Sequence, residues 1–316
     1  MLLVIVGHTV ENSAVRAIIY SFHMPLFFAL SGFCQTYCSK KMFKRKNLNN
    51  AKKLVLPAII IYAIRLLTGF YGFQRTSTNI GYSIWESLKT LFLFSGVDES
   101  ILGEKIIGIG IIWYLMTLFL SLTIFYAVQI YFFERQTIVI LVLATIGVAI
   151  GKVTYLPFSL DIALAVLPFI LFGNEIAKHK EFLSRSGFGC IAALLWGGGL
   201  ILCIFLKGSY LELAARRYPI YPLCFIAACC AICTLFSCSI RLEERFKCTC
   251  CIRALKFYGK NSLTLYAVHA MDYLWHGLYT IYENPCLEAA IRVVLDTFIC
   301  YVCVKLYDLI VTIRGE

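Results

Sequence analysis

Two histidines near the start of the chain, His8 and His23, stand at the ends of apolar stretches of sequence. Ionisable residues are costly inside a membrane and by default indicate function there. A neutral imidazole can remove a proton from a hydroxyl group or accept an acyl group itself. Glu11 follows His8 by three residues, so on a continuing helix it would lie on the same face and orient the ring. We therefore interpret His8, Glu11 and His23 as candidate catalytic residues. The structural alternatives are that His8 lies at the membrane interface, that Glu11 is solvated and that His23 packs at the start of a helix.

A second group of ionisable residues lies near the end of the chain. His269, Asp272 and His276 recur at spacings of three and four, which on one helix places them in a stripe facing the bundle interior or water. Such a stripe could bind a metal, relay protons or contact a sugar. A metal is disfavoured because these side chains would need another rigid ligand. Arg292 and Asp296, four residues apart, are interpreted as a mutual structural pair.

The elements that must carry these residues are membrane helices. Hydrophobic residues form 60% of the chain, charged residues form 15%, and the mean hydropathy is +0.80, which excludes an ordinary soluble domain. Uncharged runs at residues 106–133, 188–206 and 218–240 approach or exceed the roughly 20 residues that cross a bilayer. Shorter or singly interrupted runs add candidates at residues 1–10, 17–35, 54–73, 137–151, 162–177, 261–281 and 285–304.

These runs predict an all-α polytopic membrane protein. About ten transmembrane helices would form a bundle, as one integral-membrane domain over residues 1–316. The first of them is short, because ten residues of helix rise only about 15 Å, half of a bilayer. We expect the natural first helix to begin upstream of Met1.

The distribution of Lys and Arg predicts the orientation. Residues 40–53, "KKMFKRKNLNNAKK", hold seven basic residues and no acid, and residues 241–260 hold six basic residues. Short cytoplasmic loops carry such an excess, so both stretches are interpreted as cytoplasmic loops and both termini as cytoplasmic. The same rule accounts for the net charge of +11 without a nucleic-acid partner.

The cysteines give no sign of a metal centre. Most of the fifteen lie within apolar runs, where cysteine behaves as a small hydrophobic residue. Cys248, Cys250 and Cys251 lack the second C-x-x-C pair and the nearby histidine that are typical of a zinc site. No metal is therefore expected.

Several blocks of this sequence carry a family resemblance. "LLVIVGH" and "SFHMPLFFALSGF" near the start, "IIWYLMTLF" in the middle and "YGKNSLTLYAVHA" near the end occur in the family order. Together they resemble the membrane-bound acyltransferase-3 family, in particular its branch of fucose 4-O-acetylase-like acetyltransferases. The second block is the most specific of the four.

The resemblance implies transfer of an acyl group, usually acetyl from cytoplasmic acetyl-CoA, to a hydroxyl of a cell-surface glycan or lipid-linked saccharide. It also implies a multi-pass protein of the bacterial plasma membrane that works with polysaccharide-synthesis machinery. His8 matches the essential histidine of the family's first helix. The other motif positions, with Asp272 added from the stripe, are candidate substrate-binding residues: Trp113, Asn261, Ser262, His269 and Asp272.

The acyl donor carries phosphates and therefore needs cations. Lys44, Arg45 and Lys46 of the basic stretch are candidate binding residues for acetyl-CoA, and the alternative is that they only set the topology. Intramembrane His, Asp and Arg residues would also suit a proton-coupled transporter or a lipid-linked-glycan flippase, although no internal repeat typical of transporters is visible. A catalytically inactive scaffold is a further alternative.

Overall fold

The computed structural model describes residues 1–10, 13–68, 80–101, 104–185, 187–246, 249–278 and 284–314. Helices dominate these residues, and two short antiparallel strands form the described part of a hairpin. The helices are α1 Leu2–Thr9, α2 Ser13–Tyr20, α3 His23–Phe33, α4 Lys40–Asn50, α5 Leu56–Leu67, α6 Ile80–Leu93, α7 Trp113–Tyr131, α8 Gln136–Gly151, α9 Leu160–Ala165, α10 Leu167–Lys178, α11 Phe188–Lys207, α12 Leu223–Arg245, α13 Cys250–Lys260, α14 Ser262–Ala270 and α15 Pro285–Arg314. The strands are β1 Glu99–Ile101 and β2 Glu104–Ile106.

Several of these helices are long and apolar enough to cross a membrane, so the chain is a polytopic membrane protein of the all-α class. Within the described residues five spans satisfy both criteria: Ala14–Phe33, Gly110–Tyr131, Phe133–Gly151, Phe188–Lys207 and Leu223–Arg245. A sixth is a pair bent by 50°, Pro157–Ala165 with Leu167–Lys178. The count is therefore five or six by length and composition, below the ten expected from apolar runs.

The difference has physical causes in the remaining runs. The predicted span at 261–281 forms helix α14 only as far as Ala270 and continues as a 3₁₀ segment, Asp272–Leu278. Helix α15 has 30 residues but carries Arg292 and Asp296 within its apolar part. The predicted span at 54–73 runs past Thr68 into residues outside the described part of the chain.

The basic stretch predicted to connect two membrane spans on the cytoplasmic side is itself helical. Helix α4 continues through a π-helical turn, Ala51–Val55, directly into α5. Lysine, arginine, leucine and methionine are good helix formers, and the stretch contains no glycine or proline before Pro57. Proline lacks an N–H and interrupts the regular ladder, which accounts for an irregular turn at this position.

Helices α3 and α10 pack with their backbones in close approach. A Cβ atom on Gly173 would lie 1.8 Å from the carbonyl oxygen of Ala29, and one on Gly32 would lie 2.0 Å from that of Ile170. Only glycine permits this separation. Fully buried phenylalanines, among them Phe28 on α3, complete the core beside the contact.

A buried ion pair fixes the connection between α11 and α12. The Arg216 guanidinium donates to both oxygens of Asp161, over 2.6 Å from Nε and 3.2 Å from Nη2, and lies 3.4 Å above the Tyr155 ring. Both charged side chains are at most 1% exposed. Because Asp161 belongs to α9, the pair ties the α11–α12 connection to the bent span.

Gly173→Ala tests the close approach of α3 and α10. The added methyl group overpacks the contact, and we expect a loss of about 1–3 kcal/mol in the free energy of unfolding. Thermal unfolding in detergent micelles measures the effect. Gly197→Ala is the control, since nothing lies within 4 Å of its added Cβ atom and alanine suits a helix interior. Equal melting temperatures for the two variants would contradict the packing argument.

Candidate functional site

A cavity of about 270 Å³ lies among α1, α3, α7 and α14. His8, Tyr20 and His23 contribute to its wall from the N-terminal helices. Further aromatic and polar side chains complete it: Trp113, Tyr114, Ser262, Tyr266, Lys53 and Glu212. Apolar side chains make up most of the remainder, so polar groups of a ligand would have few but well-placed partners.

His8 lines this cavity with an exposed ring. It lies in the last turn of α1 and is exposed, although most of its neighbours on that helix are buried. The Tyr20 hydroxyl lies 3.4 Å from His8 Nδ1. His8 therefore has an ordered neighbour on one side of the ring and cavity space beside it.

His23 lies on the same cavity but is more constrained. It is the first residue of α3 and is 6% exposed, and its Nδ1 donates to the carbonyl oxygen of Ile19 over 2.9 Å. This bond places the proton on Nδ1 and leaves Nε2 as the free ring nitrogen. Its ring packs edge-on against Tyr20, with centroids 4.7 Å apart. Tyr20 thus lies between the two histidines.

A buried ionic network lies behind His8. His269 is 3% exposed, and its Nδ1 is 3.0 Å from Asp272 Oδ2 and 3.1 Å from Asp296 Oδ2. Trp275 Nε1 donates to the other oxygen of Asp296 over 3.2 Å. The His269 and His8 rings lie 5.8 Å apart. The network therefore connects a carboxylate pair to the immediate surroundings of His8.

Arg292 joins this network to the first helix. Its Nε donates to Asp272 Oδ2 over 2.6 Å, its Nη2 also binds that oxygen, and its Nη1 donates to Thr9 Oγ1 over 2.9 Å. Thr9 directly follows His8 in the sequence. A side chain on α15 thus holds the end of α1, and with it the backbone of His8.

The ligand atoms of His269, Asp272 and Asp296 lie within 4.8 Å of one another, a spacing that a metal ion could occupy. Arg292 already brings a positive charge to Asp272, and Trp275 donates to Asp296. Buried charges must be paired, and these contacts satisfy that requirement within the protein. Ion pairing is therefore a sufficient account of this cluster.

Two predictions about these polar residues were wrong. Arg292 and Asp296 do not pair with each other, because each finds a partner contributed by residues 269–275. His269, Asp272 and His276 do not form one helical stripe, because α14 ends at Ala270 and His276 is exposed on the following 3₁₀ segment. Helical spacing cannot anticipate a helix end of this kind.

The candidate substrate-binding residues separate into three places. Trp113 and Ser262 line the cavity, whereas His269 and Asp272 lie behind it. Asn261 faces a different groove, and its side chain donates to the carbonyl oxygen of Phe257 over 3.0 Å.

The candidate donor-binding residues also differ in their surroundings. Lys44 and Arg45 are exposed on α4, while Lys46 donates to the Thr36 carbonyl oxygen over 2.7 Å. Glu11 lies outside the described residues.

Sequence reasoning did not single out Tyr20, Lys53 or Glu212, which also line the cavity. Tyr20 ends α2 and His23 begins α3, so no helical spacing relates them, and only the turn between the two helices brings their rings together. Lys53 closes the basic stretch, but nothing in that run distinguishes it from its neighbours. Glu212 reaches the cavity only because of the fold of the α11–α12 connection.

A second cavity adjoins the first and extends toward α4. Its volume is about 850 Å³, and His23, Lys53 and Ser262 line both cavities. At its far end lie Gln35 and Asn50, which both bind the Tyr126 hydroxyl, over 2.6 Å and 3.2 Å. The residues that line the two cavities therefore extend from His8 past Lys53 to the C-terminal end of α4.

Arg292→Met tests the network behind His8. The change removes the guanidinium and leaves Asp272 with less compensation inside the protein, so we expect a loss of about 3–5 kcal/mol in the free energy of unfolding. Lys178→Met is the control, because the Lys178–Glu175 pair is roughly half exposed and such pairs contribute about 0–1 kcal/mol. Similar melting temperatures for both variants would argue against a stabilising network.

The chain matches a protein family. A family model described as an acyltransferase domain matches residues 1–305, and this range includes every residue of the cavity. No curated protein matches the chain, and no solved structure matches it.

Proposed function

Because the chain belongs to the acyltransferase-3 family, whose members transfer acyl groups to hydroxyl groups, generally of carbohydrates, we propose that it is an O-acetyltransferase. Its donor is acetyl-CoA, and its acceptor is a cell-surface glycan or lipid-linked saccharide. The observation that carries the proposal is the exposure of His8 to a cavity. This cavity adjoins a second one, which reaches helix α4. The resemblance to fucose 4-O-acetylase-like enzymes supports acetyl as the transferred group.

His8 acts as the general base in this proposal. It removes the proton from a sugar hydroxyl while the hydroxyl oxygen attacks the thioester carbonyl. The new C–O bond forms, the C–S bond breaks, and the proton goes to the departing thiolate. Transfer through an acetyl-His8 intermediate uses the same residue as nucleophile and leads to the same products.

The thioester oxygen gains negative charge in the transition state and needs hydrogen-bond donors. Tyr20 and Ser262 carry hydroxyl groups on the cavity wall and are the proposed donors, whereas His23, whose Nδ1 proton goes to Ile19, positions Tyr20 through their ring contact. Asn261, in the separate groove, has no part in this proposal. His269, Asp272 and Arg292 serve as positioning residues, because they hold the end of α1 through Thr9.

Acetyl-CoA enters from the side of α4. Lys53 lines both cavities, while Lys44 and Arg45 attract the phosphates from exposed positions. The Lys and Arg distribution supports a cytoplasmic location for this side and for both termini, with about ten crossings of a bacterial plasma membrane.

The acceptor approaches from the α11–α12 connection. Tyr20 and Tyr210 stand edge to face with centroids 6.0 Å apart, the Arg16 guanidinium lies 5.3 Å from the Tyr20 ring, and Glu212 reaches the cavity. Aromatic faces with a few charged groups suit a sugar, which has both apolar ring faces and hydroxyl groups. Enzymes of polysaccharide synthesis are the expected partners, since they would supply this acceptor.

His8→Ala tests the catalytic proposal. Purified protein is incubated with labelled acetyl-CoA and a saccharide extract of its host, and transferred label is measured. We expect a loss of about 100-fold or more, in the range of general-base catalysis. His276→Ala, which changes an exposed histidine outside the cavity, should retain activity. Transfer that survives His8→Ala would sink the assignment, and saccharide uptake into vesicles without acetyl-CoA turnover would favour a transporter.

Lys53→Gln tests the proposed entry path of acetyl-CoA. Loss of one cation near the phosphates should raise KM for acetyl-CoA by roughly fivefold, about 1 kcal/mol, and leave kcat unchanged. Lys52→Gln is the matched control, because the neighbouring lysine has the same charge but lines neither cavity. An equal effect of both variants would instead point to general attraction by the basic helix.

A further inference from the structure

A second basic site lies between α13 and α15, apart from the cavity of His8. The α13–α15 groove has a volume of about 870 Å³, and its charged lining consists of Arg253, Lys256, Lys260, Lys305 and Asp308. Four cations thus face one acid. The groove shares no described lining residue with either cavity of the candidate site.

The cations converge because of how the two helices meet. Arg253, Lys256 and Lys260 are spaced by three and four residues and therefore share one face of α13. The Phe257 ring lies 6.1 Å from the Tyr301 ring of α15, and the Tyr258 hydroxyl lies 3.3 Å from Thr297 Oγ1. These contacts turn the basic face of α13 toward α15, where Lys305 completes the groove.

The part of α15 that lines the groove has the composition of a segment at a membrane surface. Helix α15 has 30 residues and is about 45 Å long, so a part of it extends beyond the hydrocarbon core, which is about 30 Å thick, when the helix crosses a bilayer. Tyr301, Lys305 and Tyr307 in its last part are residue types that favour this interface. Before them, Val294 and Phe298 are more than 60% exposed, as expected of a surface that faces lipid.

The existing contacts of the cations leave room for a ligand. Lys256 pairs with Glu243 over 2.9 Å, but both side chains are at least 60% exposed, and such pairs are weak. Lys305 Nζ lies 5.8 Å from the Tyr301 ring. An anion entering the groove would therefore compete with these two contacts.

We propose that the α13–α15 groove binds the phosphate headgroup of an anionic phospholipid, whose acyl chains lie along the exposed apolar face of α15. Basic clusters between helices at the membrane surface suit this chemistry. The phosphates of acetyl-CoA have the same charge, but α13 separates the groove from the cavities of the candidate site. A lipid reaches the groove from the bilayer without entering them. The site is independent of the proposed acetyl transfer.

The test uses the full chain in phosphatidylcholine nanodiscs that contain a trace of photoactivatable phosphatidylglycerol. Cross-linked peptides are identified by mass spectrometry, and we expect them to come from residues 253–264 and 301–308. In the triple variant Arg253→Gln/Lys256→Gln/Lys260→Gln, labelling should fall roughly 100-fold, at about fivefold per cation near an anionic headgroup. Lys305→Gln, from the opposite wall, should lower it about fivefold.

The matched control is Arg135→Gln/Lys178→Gln/Lys180→Gln, which removes three exposed cations outside the groove. It should retain wild-type labelling of the two peptides. Excess unlabelled phosphatidylglycerol should displace the probe, and acetyl-CoA or inorganic phosphate should not. Displacement by acetyl-CoA would make the groove a nucleotide site and overturn the proposal, as would equal losses in both triple variants. Circular dichroism and the Lys305→Gln result separate loss of binding from misfolding.

Discussion

The structure around the candidate site depends on pairing charges that cannot be left alone in a low-dielectric interior. Asp272, Asp296 and Arg292 would each be costly if buried singly, and His269 lies between the two carboxylates. These residues come from two separate parts of the chain. Pairing their charges therefore requires α15 to pack against the segment that begins with α14. Arg292 then extends the same requirement to Thr9 and so to the end of α1.

Other contacts bring the opposite wall of the cavity into place. The glycine contacts between α3 and α10 hold His23 and its neighbours close to the core, and the Asp161–Arg216 pair holds the connection that contributes Glu212. Each of these is a contact of short range and high specificity. The cavity is thus a product of several independent constraints rather than a feature of any single helix.

The basic residues of the chain stand in different surroundings. An uneven distribution of Lys and Arg suffices to orient a membrane protein, and many of these residues stand in two stretches of the chain. Yet Lys53 lines the cavities of the candidate site, while Arg253, Lys256 and Lys260 line a separate groove. Composition does not distinguish these lysines and arginines from Lys44 or Lys52, which line none of these three cavities, because the distinction is one of helix orientation.

The sequence alone determined the class of the protein, because hydropathy is a property of composition and the bilayer admits few folds for such chains. It also carried the family blocks, and with them the choice of His8. Tertiary structure decided the partners. Arg292 binds Asp272 rather than Asp296, Asn261 faces away from Ser262, and the stretch at residues 40–53 is a helix. Helical spacing specifies neighbours only along one unbroken helix, whereas these outcomes depend on where α14 ends and on which helices pack together.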